Sequence, residues 1–136
     1  MIYWFYGQPG AGKTTLAQEL LTRIDGVHVD GDGIRALFKN TDYSREGRIK
    51  NLTTVNNIVK FLDSKGFNVV VSVVSPFKEL RDEMKEIGAQ FYFVQTTEIR
   101  GREQNFVKDF EFSEEDIILD TTNKTIEEVI NHVKLD

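Results

Sequence analysis

A chain of 136 residues, 40% apolar and 29% charged, is long enough to close one core and too apolar to stay disordered. Its net charge of −5 excludes a protein that holds nucleic acid by counterion release over a broad basic surface, so any affinity for phosphate must be local. The absence of cysteine excludes disulfides, thiolate metal sites and thiol catalysis, and no apolar run approaches the length of a membrane span.

The first element is the apolar run Ile2-Tyr3-Trp4-Phe5-Tyr6, a predicted strand. The chain enters it without a charged segment, apolar run and cleavage site, so a cytoplasmic location is expected. Residues Gly7-Gln8-Pro9-Gly10-Ala11-Gly12-Lys13-Thr14 then match G-x-x-x-x-G-K-[ST] in full, and a helical pattern over Lys13–Ile24 follows. Strand, loop and helix are the context this phosphate-binding loop requires. Small residues let successive N–H groups curl round an anion, and the helix N-terminus adds its positive dipole end. Lys13 would reach the β/γ-phosphates and the Thr14 hydroxyl would ligate Mg²⁺. A glycine-rich turn that merely caps a helix would need neither.

Further strands are predicted at Val27–Asp30, Phe67–Val74, Phe91–Thr96 and Ile117–Leu119, with helices at Ile34–Phe38, Arg45–Lys65, Phe77–Ile87 and Thr125–Val133. Gly66 and Gly88 stand where helices end. Strands alternating with helices imply parallel pairing through right-handed crossovers. The expectation is a single α/β domain over residues 1–136 with a five-stranded parallel sheet flanked by helices. Residues 98–116 are the least regular and are expected to form a loop or short helices over the nucleotide side. Ligands of such sheets bind beyond the carboxyl ends of the strands.

Several groupings fall at those ends. Asp30-Gly31-Asp32-Gly33-Ile34-Arg35 sets two carboxylates and an arginine after the second strand, where a carboxylate can accept the proton of an acceptor hydroxyl; the alternative is a polar turn. On the helix from Arg45, Arg48 projects within about 40° of Leu52 and about 20° of Val55 and Val59, so it lies on the apolar face with Asn51 beside it. An inward arginine at this edge suits an anionic ligand group, or else snorkels to a carboxylate. Arg45 reads as a surface charge. Tyr43 could stack on a base or pack. Ser75 and Pro76 read as the cap and first turn of the next helix. His28 and His132 are isolated.

Together these residues resemble the adenylylsulfate kinase family (adenosine 5′-phosphosulfate kinases), which share a P-loop kinase fold. The likeness runs through residues 1 to about 97 and resumes weakly at Ile117-Ile118-Leu119-Asp120-Thr121. The family's Asp-Gly-Asp-Asn-x-Arg is similar to Asp30–Arg35, with Gly33 in place of Asn. Its Phe-Ser-x-x-Asp-Arg-x-Glu-Asn resembles Tyr43–Asn51, and its Ser-x-x-Ser-Pro-Tyr-Arg-x-x-Arg-Asp resembles Ser72–Asp82.

The resemblance implies transfer of the γ-phosphoryl of Mg-ATP to the ribose 3′-hydroxyl of adenosine 5′-phosphosulfate, giving 3′-phosphoadenosine 5′-phosphosulfate in sulfate assimilation. ATP and Mg²⁺ are the implied cofactors. Gly7, Gly10, Ala11, Gly12, Lys13, Thr14 and Thr15 would bind ATP, with Thr14 on the metal. Asp30, with Lys13, would be catalytic, and Asp32 would lie near the metal or substrate. Arg35, Arg48 and Asn51 would hold phosphosulfate and ribose, Tyr43 would stack on the substrate adenine, and Val74 and Ser75 would line the same pocket. Arg102 takes the place of the lid-base arginine and Phe110 that of the second adenine-stacking ring. The implied partner is a small nucleotide substrate, with neither membrane nor nucleic acid; a homodimer is compatible with it.

The family's lid, with its Asp-Pro-Lys-Gly-Leu-Tyr-Lys-Lys run and later Phe-Thr-Gly-Ile-Asp segment, is cut down here, and no counterpart of its segment before the first strand is expected. Residues 98–116 carry three basic side chains (Arg100, Arg102, Lys108) against seven acidic ones. A net −4 cover is expected to be a poor partner for phosphates. That leaves two other readings: a P-loop kinase for a different nucleoside, sugar or polynucleotide hydroxyl, and a nucleotide-binding protein of low turnover.

Overall fold

The computed structural model describes residues 1–135. Five parallel strands, β1 (Ile2–Tyr6), β2 (Val27–Asp30), β3 (Val69–Ser72), β4 (Gln90–Gln95) and β5 (Ile117–Asp120), form one sheet in the order β2-β3-β1-β4-β5. The helices are α1 (Lys13–Leu20), α2 (Gly31–Phe38), α3 (Arg45–Ser64), α4 (Lys78–Lys85) and α5 (Ile126–Ile130). This is the expected helix-flanked α/β architecture, with β1 central and every strand's carboxyl end on one edge.

Strand β1 shows why the sheet is buried on both sides. Its alternate side chains Ile2, Trp4 and Tyr6 join Leu52, Val55 and Val59 of α3 and Met84 of α4 on one face. Tyr3 and Phe5 join Leu16, Ala17 and Leu20 of α1 and Val129 and Ile130 of α5 on the other. A strand with apolar residues at every position can only sit in the middle of such a sandwich.

Element ends differ from the periodic reading where local hydrogen bonds intervene. Helix α1 stops at Leu20 rather than Ile24, because the Thr22 hydroxyl and N–H both donate to the Glu19 carbonyl (2.7 and 3.1 Å) and divert the last turn from the helical ladder. Helix α2 starts at Gly31 rather than Ile34, because Asp30 caps it: its Oδ1 accepts from Gly33 N at 2.7 Å. Ser75 does not cap α4. That helix begins at Lys78, whose N–H donates to Glu111 Oε1 at 2.8 Å. Ser75 instead takes a left-handed φ of 47°, rare for a residue with a Cβ. Two contacts hold it there: Trp4 Nε1 donates to its Oγ at 3.0 Å, and buried Arg81 donates to its carbonyl at 2.6 Å.

Candidate active site

A cavity of about 970 Å³ opens at the carboxyl edge. The turn after β1 supplies Pro9, Gly10, Gly12, Lys13, Thr14 and Thr15. The end of β2 supplies Asp30, Asp32 and Arg35; α3 and the segment before it supply Tyr43, Arg48 and Asn51; the end of β3 supplies Ser72, Val74 and Ser75. Of the residues expected at the site, Gly7, Ala11 and Phe110 stand outside this lining. Gly7 and Ala11 belong to the loop's backbone; Ala11 is buried beneath it.

Phe110 is a correction. It stacks on Tyr6 (centroids 6.1 Å apart, planes 9° apart) and meets Phe93 edge-on at 5.7 Å, so it belongs to the core under the site. The ring that reaches the cavity is Phe106, 42% exposed. No periodicity in this segment signalled which phenylalanine would turn inward. Arg100, Gln104, Asn105 and Val107 also line the cavity and were not picked out by the sequence.

The acidic cover is a second correction. None of the seven acidic side chains between residues 98 and 116 lines the cavity. Glu98 pairs with Arg100, Glu111 accepts from the α4 N-terminus, Glu115 and Asp116 pair with Lys85, and Asp116 also accepts from the Tyr6 hydroxyl at 2.5 Å. What faces the cavity is cationic: Lys13, Arg35, Arg48, Arg100 and Arg102 against Asp30 and Asp32, a net +3 in a chain of −5. The sum of charges along the segment does not describe the cavity, because the carboxylates that pair or cap do so away from its lining.

The segment is strapped to the phosphate loop rather than poised above it. Gln8 Nε2 donates to the Val107 carbonyl and Val107 N–H donates back to Gln8 Oε1, both at 2.8 Å. Before this anchor comes a short turn, Glu103–Asn105, and Arg102 at its start lies close over Gly10, where a Cβ would meet the Arg102 Cβ and Cγ at 3.1 Å.

The charged groups differ in their freedom. Lys13 Nζ donates to the Gln8 carbonyl at 2.8 Å. Burial pushes its ammonium down to about 8, with Arg102 adding to the fall and Asp32 opposing it. Arg35 donates to Asn40 and Asp42 and lies over the Tyr43 ring at 4.1 Å, so it braces the 40–43 loop. Tyr43 is 61% exposed, so its ring packs on Arg35 and not within the core. Arg48 faces the cavity as the helical spacing predicts, and Asn51 beside it is buried. Arg45 lies exposed over the Phe77 ring at 4.5 Å. His28 is not isolated: its Nε2 shares a hydrogen bond of 2.8 Å with Ser72 Oγ, and burial lowers its pKa against the pull of Asp30. Where the family motif has Asn, Gly33 lets the Asp30 carboxylate approach; a Cβ there would meet Asp30 Oδ1 at 2.3 Å.

A five-stranded parallel sheet with a glycine-rich loop, a loop lysine and paired carboxylates at one edge defines the P-loop kinase class. Within that class, the family model described as Adenylylsulphate kinase matches residues 1–109, and the chain belongs to that family. Adenylyl-sulfate kinase of Chloroflexus aurantiacus is 38% identical over 90 residues, 62% of this chain and 48% of that protein. Cytidine diphosphoramidate kinase of Campylobacter jejuni is 31% identical over 96 residues, 67% of this chain and 56% of that protein. The chain spans about half the length of these relatives. Among solved structures, Mycobacterium tuberculosis APS kinase CysC in complex with AMPPNP and APS superposes with a TM-score of 0.78 at 20% identity, over 96% of this chain and 92% of that one. Shikimate kinase from Aquifex aeolicus shares the fold at a TM-score of 0.65 and 15% identity, over 96% and 92%.

Proposed function

We propose that this chain transfers the γ-phosphoryl of Mg-ATP to the 3′-hydroxyl of adenosine 5′-phosphosulfate. The observation that carries the reading is that one cavity joins the phosphate loop, the Asp30/Asp32 pair and the Arg48/Asn51 wall. Its volume of about 970 Å³ lies at the upper end of small-molecule sites, as two nucleotides require. The triphosphate lies on the loop, where Lys13 exchanges the Gln8 carbonyl for phosphate oxygens and Arg102 faces the same charge. The acceptor lies toward α3, with Arg48 and Asn51 on its anionic group and Tyr43 and Phe106 as the rings available to its base. Asp30 takes the proton of the attacking hydroxyl. The oxygen–phosphorus bond to the acceptor forms as the bond to the departing ADP oxygen breaks.

The residues fit a magnesium ion delivered with ATP. No cluster of three or more His, Cys, Asp or Glu side chains suited to a metal occurs among the described residues, and Mg²⁺ in such sites rests mainly on phosphate oxygens and water. Thr14, exposed on the lining, would hold it, with Asp30 and Asp32 the carboxylates of the same lining. The ion supplies neutralisation of the β- and γ-phosphate charge.

A second reading, a kinase for a different hydroxyl, is favoured by the strap, which stands where the family carries a longer lid, and by a relative named for cytidine diphosphoramidate. The two are separated by incubating the protein with Mg-ATP and each acceptor in turn and resolving the products. Formation of 3′-phosphoadenosine 5′-phosphosulfate above a Lys13→Ala control is the expected result. Product only from cytidine diphosphoramidate would replace the first reading by the second.

A further inference from the structure

We propose that Arg100 and Thr121 are positioning residues that set the phosphate loop by holding its carbonyls, aiming the Gly12 N–H into the cavity. The proposal rests on the reading of Gly7–Thr14 as a nucleotide phosphate site and is independent of the acceptor's identity.

Arg100 follows β4 and Thr121 follows β5, and neither belongs to the phosphate-loop motif. Arg100 Nη1 donates to the carbonyls of Gly10 and Ala11, each at 3.1 Å, while Nη2 donates to the Thr121 carbonyl at 3.3 Å. Thr121, 2% exposed, donates its hydroxyl to the same Ala11 carbonyl at 2.7 Å. Glu98 and Glu103 fix the arginine in turn, through its guanidinium at 2.5 Å and its N–H at 3.1 Å.

The Ala11 carbonyl is thus held by the Arg100 guanidinium at the cavity wall and by the buried Thr121 hydroxyl. The peptide is trans, so the N–H of Gly12 points the opposite way, toward the cavity that Gly12 lines. The tie matters because the loop is otherwise free to turn over. Gly10 and Gly12 both have positive φ, 83° and 109°, and glycine tolerates either hand at little steric cost. A peptide between such hinges can flip and present carbonyl instead of N–H to an anion. Holding the carbonyl removes that alternative before ligand arrives, which is preorganisation. The guanidinium charge on the carbonyl side also polarises the peptide and strengthens its N–H as a donor.

The test compares ADP with AMP, both with Mg²⁺, by equilibrium binding to the full chain. AMP shares the nucleoside and first phosphate; ADP adds the phosphate group that depends on a well-aimed loop. Wild type is expected to prefer ADP. Arg100→Ala is expected to lose about tenfold in ADP affinity, the size of one charge-assisted hydrogen bond, with AMP affinity changed less than about twofold. Arg100→Lys recovers part of the loss, since one ammonium can reach a single carbonyl. Thr121→Val moves the ADP-to-AMP ratio the same way, and it carries the test if Arg100→Ala does not fold. An unchanged ratio, or an equal loss for both nucleotides, overturns the positioning role. A wild type without preference for ADP overturns the phosphate-site reading as well.

Discussion

Lys13 is the residue at which charge, burial and ligand meet. Its ammonium, pushed down to about 8, is half neutral near that pH in the free protein, while a bound triphosphate favours the charged form. Binding must therefore bring a proton with it at higher pH. ATP affinity is expected to be flat with respect to this group below about pH 7 and to fall by up to about tenfold per pH unit above 8. Titrations from pH 6.5 to 9.5 check this; a Lys13→Arg chain that still binds should lack the fall, and a flat wild-type profile would contradict the low value. Asp30 caps α2 through Gly33, and in the proposed reaction it also accepts the substrate proton. Asp30→Asn keeps an acceptor for the cap and loses the base, so kcat should drop by at least about 100-fold with little change in ATP affinity. A near-normal kcat would remove Asp30 from the chemistry. Arg48→Ala should raise the acceptor KM about tenfold or more and leave ATP binding within about twofold, because α3 forms the wall away from the loop. Equal weakening of both ligands would argue against that placement.

Among the elements, α4 does more than cover the sheet. Its Arg81, 1% exposed, donates to the carbonyls of Ser75 and Glu111 and to Ser113 Oγ, and lies over the Tyr6 ring at 4.4 Å. One guanidinium thus joins the strained end of β3, which lines the cavity, to the segment that returns toward β5. Arg81→Met would keep most of the volume and leave those acceptors unpaired inside the protein. The expected loss is about 3 kcal/mol of stability, or roughly 10 °C in Tm, read by thermal unfolding. A loss below about 0.5 kcal/mol would mean that water replaces the guanidinium at each acceptor. The strap between residues 100 and 107 is an element of the opposite kind, irregular yet fastened at both ends to the loop it covers.

At the scale of the whole molecule, charge is sorted rather than balanced. A chain of −5 presents a cavity of net +3, so anions are drawn to one mouth and repelled elsewhere. Affinity for ATP and for an anionic acceptor should fall several-fold as salt rises from about 0.05 to 0.5 M, since the Debye length shrinks to a few ångströms over that range. Binding measured across that series checks it, and an affinity insensitive to salt would contradict a net-positive cavity. The same sorting explains why the composition of residues 98–116 misrepresented the site. Counting carboxylates along a segment ignores which side of the chain each one occupies.

What the sequence determined alone is the part encoded in local repeats and fixed spacings. Apolar runs with alternating helices predicted the parallel sheet, the loop motif marked the candidate phosphate site, and the 3.6-residue period of α3 turned Arg48 inward. These features survive because a strand buried on both faces, a glycine-rich loop and an amphipathic helix each carry their instruction within a few residues. Only the tertiary structure decided which ring of the 98–116 segment enters the cavity, where its carboxylates go, and that Arg100 and Thr121 hold the carbonyls of the phosphate loop. The Arg100 and Thr121 contacts join residues 21 to 110 positions apart in a stretch without periodicity. No local pattern could specify them until the sheet brought its strand ends together.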